Sequence, residues 1–500
     1  MTETAWPTAE GVQTSLSRIG VVDVGSNSVR LVVFDGVARA PSYFYNEKVL
    51  CGLGKGVVDT GQLHPEGRRR AFRAIARFVA LARLMRLSRL EGVATAAVRE
   101  ARDGAEFVAR VEAETGLKLR IASGPDEGEL AAKGVLLGWP KATGLVCDIG
   151  GASLEVAALE EGRIGARATA PIGPLRLADL GGTKAENAAI KAGLAALKKA
   201  VPAKPKRVFL VGGSWRAIAK LDMERRKYPL RVLHEYDIPV KEMLATCDHI
   251  AETDTSRLKE ETDSSAARME LVPTAARVLA ALIESYGPST FSISSYGLRE
   301  GVLYDLMPEG LRARDPLIEA ARHMEASAAR FPGFGDALYA WLAPIAAAIT
   351  GAPTRLVRAA CLLHDIAWRA HPDYRADVSF ETVTRANLTG LDHAERVFLG
   401  LAIMHRYRSG GVARFEPDLL ELLSEDLRKE ASVLGRALRL GAMLTGAAPG
   451  ALQDTRIHIE DDALCLTMSG SAITLGGEAV ERRLAALANR LDLKVALRRT

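Results

Sequence analysis

The chain has 500 residues, which at roughly 150 per domain makes about three domains, or one two-lobed body with an appendage. With 48% apolar and 25% charged residues it has ample material for buried cores, which excludes a disordered, collagen-like or disulfide-stapled chain. Its 66 basic against 61 acidic residues leave a net charge of +5, too even for a protein that coats nucleic acid. Five widely spaced cysteines provide neither a disulfide framework nor a CxxC metal cage, which suits a reducing cytoplasm.

Residues 1–17 are polar and acidic, lack the basic-then-apolar order of a signal peptide, and read as a flexible tail. From Ile19, the run IGVVDVGSNSVRLVVFDG predicts two buried Val-rich strands joined by a tight loop. The arginine-rich segment 66–91 carries apolar residues at helical spacing and predicts a helix, as do 126–137 and 185–200. Between the last two lies TGLVCDIGGASLEVAALEEG, which repeats the opening pattern: Asp23-Val-Gly-Ser-Asn-Ser28 aligns with Asp148-Ile-Gly-Gly-Ala-Ser153. A third strand-to-helix junction follows at 207–221, then a helix over 268–286 and a strand over 290–295. Pro, Gly and charge at 307–316 mark a linker. Beyond it the text is almost all helical to about residue 448, and the last fifty residues predict a hairpin and an amphipathic helix. The most apolar helical stretch, Leu338 to Thr350, falls short of the about twenty residues that span a bilayer, so no membrane partner is expected.

The two Asp-x-Gly-x-x-Ser loops suit one task. Their glycines let backbone N–H groups approach a phosphate, their hydroxyls add donors, and the Asp is left for a metal ion or water. A lone copy reads as well as a glycine-rich hairpin; two copies in corresponding places favour two jaws closing on a phosphate chain. Duplicated Asp-x-Gly loops resemble the actin, sugar-kinase and Hsp70 superfamily. Within it, VVDVGSNSVRLVV, ATAAVREARD, SGPDEGELAAKGV, CDIGGASLEVA, PIGPLRL and YGLREGVLYDL resemble, in order over about residues 19–306, the exopolyphosphatase/guanosine pentaphosphate phosphohydrolase (Ppx/GppA) family.

The resemblance implies an α/β fold of two actin-like (ribonuclease H-like) lobes, 18–140 and 141–306. An all-helical HD-like domain over 317–448 and a small α+β segment over 449–500 would follow. It makes Glu127 the catalytic base, with Asp126 the rival; without the resemblance, Asp126, Glu127 and Glu129 read as charges at a helix N-terminus. Arg99 becomes the guanidinium that grips substrate phosphate. Ser26, Asn27 and Ser28, with Gly150, Gly151 and Ser153, become the phosphate cradle. Asp148 and Glu155 become ligands of Mg²⁺, although Glu155 reads equally as the polar-face residue of its strand. Departures from the family pattern are Ala152 in the second loop and the bulky Trp215 and Arg216 after Gly212-Gly213, which put a nucleoside contact there in doubt. A core position is the commoner fate of a tryptophan.

Arg69, Arg73 and Arg77 share one helix face. A solvated face is the ordinary explanation, but such a field would also attract and track a polyanion; nothing favours specific nucleic-acid binding. The His364-Asp365 doublet resembles an HD site. Its proposed companions His323, Asp392, His393 and His405 match poorly in spacing, so the doublet is expected to hydrogen-bond within the core of a degenerate domain. The function expected is release of terminal orthophosphate from inorganic polyphosphate, with pppGpp conversion to ppGpp as sibling activity, in a cytoplasmic homodimer. The rivals are an actin-like ATPase serving as scaffold or chaperone, and a sugar- or acetate-type kinase.

Overall fold

The structure is a computed structural model that describes residues 17–262, 265–408, 417–448 and 450–500, so nearly all of the tail assigned to 1–17 lies outside the described residues. Two compact units emerge: residues up to Ala122 with Asp305–Met307, and all the rest.

In the first unit, β1 (Ile19–Val24), β2 (Ser28–Phe34), β3 (Tyr43–Leu50), β4 (Arg89–Ala94) and β5 (Leu119–Ile121) form a sheet of order β3-β2-β1-β4-β5. β1 runs antiparallel to β2 and parallel to β4. The valines that announce β1 and β2 are buried, packed with a helix at Pro65–Leu84 that inserts Ala71, Ala74, Ile75, Phe78 and Val79 at helical spacing. The segment 66–91 is therefore helical only to Leu84. Arg86 turns the chain with a left-handed φ of 53°, and Arg89–Ala94 pairs in register with β1. Arginine marks neither helix nor strand, so the arginine pattern runs past the break.

The second unit repeats the opening. Its sheet contains β6 (Gly144–Ile149), β7 (Leu154–Glu160), β8 (Arg163–Ala170), β9 (Arg207–Val211), β10 (Tyr236–Pro239) and β11 (Thr290–Ile293), in the order β10-β11-β9-β6-β7-β8. β6 is antiparallel to β7 and parallel to β9, as β1 is to β2 and β4. Helices at Thr183–Ala200, Gly213–Arg225, Val240–Glu252 and Val272–Tyr286 supply a large core that includes Trp215, fully buried. The helix expected over 268–286 is broken into Ala266–Met269 and Val272–Tyr286, with Pro273 in the first turn of the second piece.

The helix Gly124–Gly138 belongs to this second unit, so the units divide after Ala122 rather than near residue 140. It sits close to its neighbours because glycines stand at the contacts. A Cβ on Gly134 would collide with the main chain of Gly297, and one on Gly124 with Thr169 of β8.

After short helices and Pro316–Ala328, the helical part runs to Glu425–Thr445. It is tied to the second sheet by buried polar contacts. His234 Nε2 meets Thr389 Oγ1 at 3.0 Å, the Leu391 amide donates to Glu235 at 3.2 Å, and His393 lies 3.0 Å from the Tyr228 hydroxyl. The chain ends in β12 (Thr455–Glu460) and β13 (Ala463–Met468), the expected hairpin. β14 (Lys494–Arg499), parallel to β13, was not expected. Among the described residues no helix is long and apolar enough to cross a membrane, and all five cysteines are free and buried.

Candidate active site

The two repeated loops close in the same way. In the first, Gly25 N donates to Ser28 O at 3.0 Å; in the second, Gly150 N donates to Ser153 O at 3.0 Å. Each loop is then braced by the segment after its third strand. In the first unit, Cys51 N donates to Asn27 O at 2.9 Å and Gly54 N to Ser26 O at 2.7 Å. In the second, Gly173 N donates to Ala152 O at 3.1 Å and Leu175 N to Gly151 O at 2.9 Å. A glycine-rich loop held in this shape is of the kind whose backbone amides can face an oxyanion.

Within the first unit, Ser26, Asn27 and Ser28 are half-buried at the end of β1. A Cβ on Gly54 would touch Ser26 Cβ at 2.9 Å and Ala97 Cβ at 3.2 Å, so this glycine joins the loop to the short helix Ala96–Glu100. Arg99 on that helix is half-buried, and its Nη1 donates to Ala122 O at 2.8 Å, which fixes the guanidinium.

Within the second unit, Ser123 and Asp126 form a capping box: Ser123 Oγ accepts from Asp126 N at 3.2 Å, and Asp126 Oδ2 accepts from Ser123 N at 3.0 Å. Asp126 is thus engaged in starting the helix. Glu127 is 8% exposed and lies where its charge acts on Glu155 of β7, itself 3% exposed. Thr169 Oγ1 donates to Glu155 Oε1 at 2.8 Å, and Ser153 also hydrogen-bonds to it. Burial first, then the charges of Glu127 and Asp148, push the Glu155 carboxyl well above the usual carboxylate range. Asp148 faces Glu155 across the β6–β7 ladder, and Gly212 brings the third junction to it: with φ of 114°, a Cβ there would meet Ile149 O at 2.6 Å and Asp148 Oδ1 at 3.1 Å. Two buried carboxylates beside a half-buried third are stabilised by a proton or a cation, and an oxygen-only donor set fits a hard divalent ion.

Sequence reasoning did not single out Thr169 or Arg268. The Arg268 guanidinium lies over Gly213, where a Cβ would come within 3.3 Å of its Nη2. Nothing in the local text around Arg268 signals this; only the fold carries it back to the third junction.

Arg69, Arg73 and Arg77 are exposed on the first unit, but two of them are in ion pairs. Arg69 bonds Glu66, and Arg77 bonds Glu47 through two contacts of 3.0 and 3.2 Å. Glu47 lies on β3, out of reach of a local reading.

The His364-Asp365 doublet is buried, as expected, and hydrogen-bonded. His364 Nδ1 contacts Cys361 O at 2.9 Å, and Asp365 receives Arg330 Nε and Nη2, each at 2.8 Å. Burial lowers His364 to about 4. Asp392 caps the helix His393–Tyr407 and His393 holds Tyr228, so each has structural work.

A duplicated strand–loop–strand unit with a parallel strand beside each copy defines the actin-like class of phosphate-handling folds. A family model described as Ppx/GppA phosphatase family matches residues 32–310, and one described as Exopolyphosphatase, C-terminal matches 317–497; the chain belongs to the Ppx/GppA phosphatase family. Exopolyphosphatase 1 of Mycobacterium tuberculosis is 32% identical over 163 residues, 32% of this chain and 47% of that protein. The match thus spans about half the length of such relatives. The guanosine-5'-triphosphate,3'-diphosphate pyrophosphatase of Vibrio cholerae is 24% identical over 472 residues, covering 90% of this chain and 91% of its own. The crystal structure of an exopolyphosphatase from Cytophaga hutchinsonii shares the fold with a TM-score of 0.53 at 22% identity, covering 58% of this chain and 97% of that one.

Proposed function

We propose that the protein is an exopolyphosphatase that releases terminal orthophosphate from inorganic polyphosphate, with pppGpp as a second substrate. The observation that carries this reading is the carboxylate group of buried Glu127 and Glu155 with half-buried Asp148, beside a backbone-braced Gly-Gly-Ala-Ser loop. Glu127 takes a proton from water as its oxygen bonds to the terminal phosphorus; the bridging P–O bond breaks and the electron pair leaves with the shortened chain. In the second unit Gly150, Gly151 and Ser153 hold phosphate oxygens, and Arg268 adds a cation at the third junction. In the first unit Ser26, Asn27, Ser28 and Arg99 have the same task. Asp148 and Glu155 would hold Mg²⁺, which supplies charge neutralisation for phosphate oxygens.

The same proposal makes the protein a cytoplasmic homodimer whose 317–448 segment is an HD-like domain that does not cut phosphate. The Arg330 clamp on Asp365 supports the last point. The test is phosphate release by the purified protein with Mg²⁺ and, separately, long-chain polyphosphate, pppGpp or ATP. Turnover of polyphosphate is expected. Turnover of ATP alone with nucleotide-dependent assembly would favour a scaffold ATPase, and phosphate appearing on a sugar or acetate acceptor would favour a kinase.

A further inference from the structure

The C-terminal three-stranded sheet carries a group of side chains that phosphate chemistry does not use. His458 of β12 stands directly opposite Cys465 of β13 in the antiparallel register, and Glu460 lies two residues along β12 on the same face. One donor atom from each (an imidazole nitrogen, the thiol sulfur and a carboxylate oxygen) lies within 4.8 Å of the others. His458 Nδ1 is buried without a hydrogen-bond partner, although its ring is 21% exposed. An orphaned imidazole nitrogen in a native structure needs an explanation. Glu460 Oε2 lies 3.6 Å from His458 Nε2 and accepts from Arg498 of β14 at 2.6 Å, as ligating carboxylates do from outer-shell partners.

We propose that His458, Glu460 and Cys465 form a binding site for a borderline divalent transition ion, Zn²⁺ being the best match. A sulfur, a nitrogen and an oxygen donor select against Mg²⁺ and Ca²⁺, which take oxygen alone. Zinc–ligand bonds of about 2.0–2.3 Å require the three donors to close up by roughly 1 Å, within reach of side-chain rotation in two paired strands. Binding releases the thiol proton to solvent, and thiolate plus carboxylate neutralise the ion's two charges. Three protein ligands leave a fourth position for water. Arg456, Lys494 and Arg498 share this face, and the thiolate and carboxylate charges must offset their repulsion of the ion.

The test uses the full-length protein, stripped with chelator and titrated with Co²⁺ as a spectroscopic stand-in. One equivalent is expected to give a near-ultraviolet thiolate-to-cobalt charge-transfer band with four-coordinate visible bands, displaced by Zn²⁺. Cys465→Ser should abolish the charge-transfer band while its circular dichroism stays unchanged. Arg498→Gln should weaken binding by about tenfold through the carboxylate it orients. Absence of the band, or its survival in Cys465→Ser, overturns the proposal. Should His458→Gln fail to fold, the isosteric cysteine variant and the Arg498 variant still decide it. Neither result depends on polyphosphate turnover.

Discussion

The two copies of the strand–loop–strand unit share backbone and differ in charge. In the first, Asp23 faces Arg30 across the ladder; at the same position of the second, Asp148 faces Glu155. The helix that adds Glu127 belongs to the second unit as well. One copy therefore sets a basic residue opposite its loop aspartate, while the other gathers negative charge around its own. A duplicated scaffold has kept its loop geometry and differs in what stands opposite a single aspartate, which is why the proposed chemistry is assigned to the second copy.

The sharpest way to break this comparison is Glu127→Gln. It should lower polyphosphate hydrolysis by about 10²–10⁴-fold with little change in KM, measured by phosphate release; retained activity would move the chemistry away from the second copy. Glu155→Gln tests the charge itself. Because the Glu155 carboxyl is raised in the folded protein, its contribution to stability is present below the ordinary carboxylate range and is lost as pH rises. The variant should therefore melt on the order of 2–4 °C higher than the parent at pH 8 without metal, and no higher near pH 4. Mg²⁺ should raise the parent's melting temperature and leave the variant's unchanged.

Acid separates the units further. Burial lowers His234 to about 3 and His364, His393 and His405 to about 4, all in the second unit. Their stabilising contribution is present above the unfolded value near 6.5 and is lost as pH falls toward 4. Glu235, which burial raises to about 8, works in the opposite direction, losing its contribution as pH rises from the usual carboxylate range through 8. Four of the five tryptophans, Trp139, Trp215, Trp341 and Trp368, lie in the second unit, so in a Trp6→Phe background tryptophan emission should report its loosening between pH 6 and 4 before far-ultraviolet signal is lost overall. Simultaneous loss of both would show no such difference.

Smaller effects come from the braces and the surface. Gly173→Ala should cost more than Gly54→Ala, within about 1–3 kcal/mol, because the added methyl meets the backbone of Gly151 and Ala152 rather than the Ser26 and Ala97 side chains. Denaturant midpoints decide it, and equal shifts would mean that the two braces are alike. Last, Arg69→Glu with Arg73→Glu should weaken long polyphosphate chains more than short ones; equal effects would remove this face of the first unit from substrate binding.

The repeat of Asp23–Ser28 in Asp148–Ser153 was legible because loop chemistry is written in contiguous residues, and so were the strands flanking it. The approach of Gly212 to Asp148, the Thr169 bond to Glu155 and the Glu47 partner of Arg77 were not, since each joins residues distant in sequence across a ladder or a crossover. The rivalry of Asp126 and Glu127 shows the boundary well: both sit at one helix start, and only the geometry of the cap engages the first. The third strand β14 was missed because Lys494–Arg499 alternates too weakly to stand out from the helix before it.

The helix bearing Glu127 rests on glycines, Gly124 against the Thr169 side chain and Gly134 against the main chain of Gly297, so these two close contacts set its position. Mutational tolerance along it should therefore be inverted from the usual expectation. Bulky aliphatic swaps at its leucines would be absorbed by repacking, whereas one methyl at either glycine would lift the whole rod and with it the carboxylate. A saturation library scored for turnover should show, besides the trough at Glu127, deep troughs at two positions that carry no chemistry.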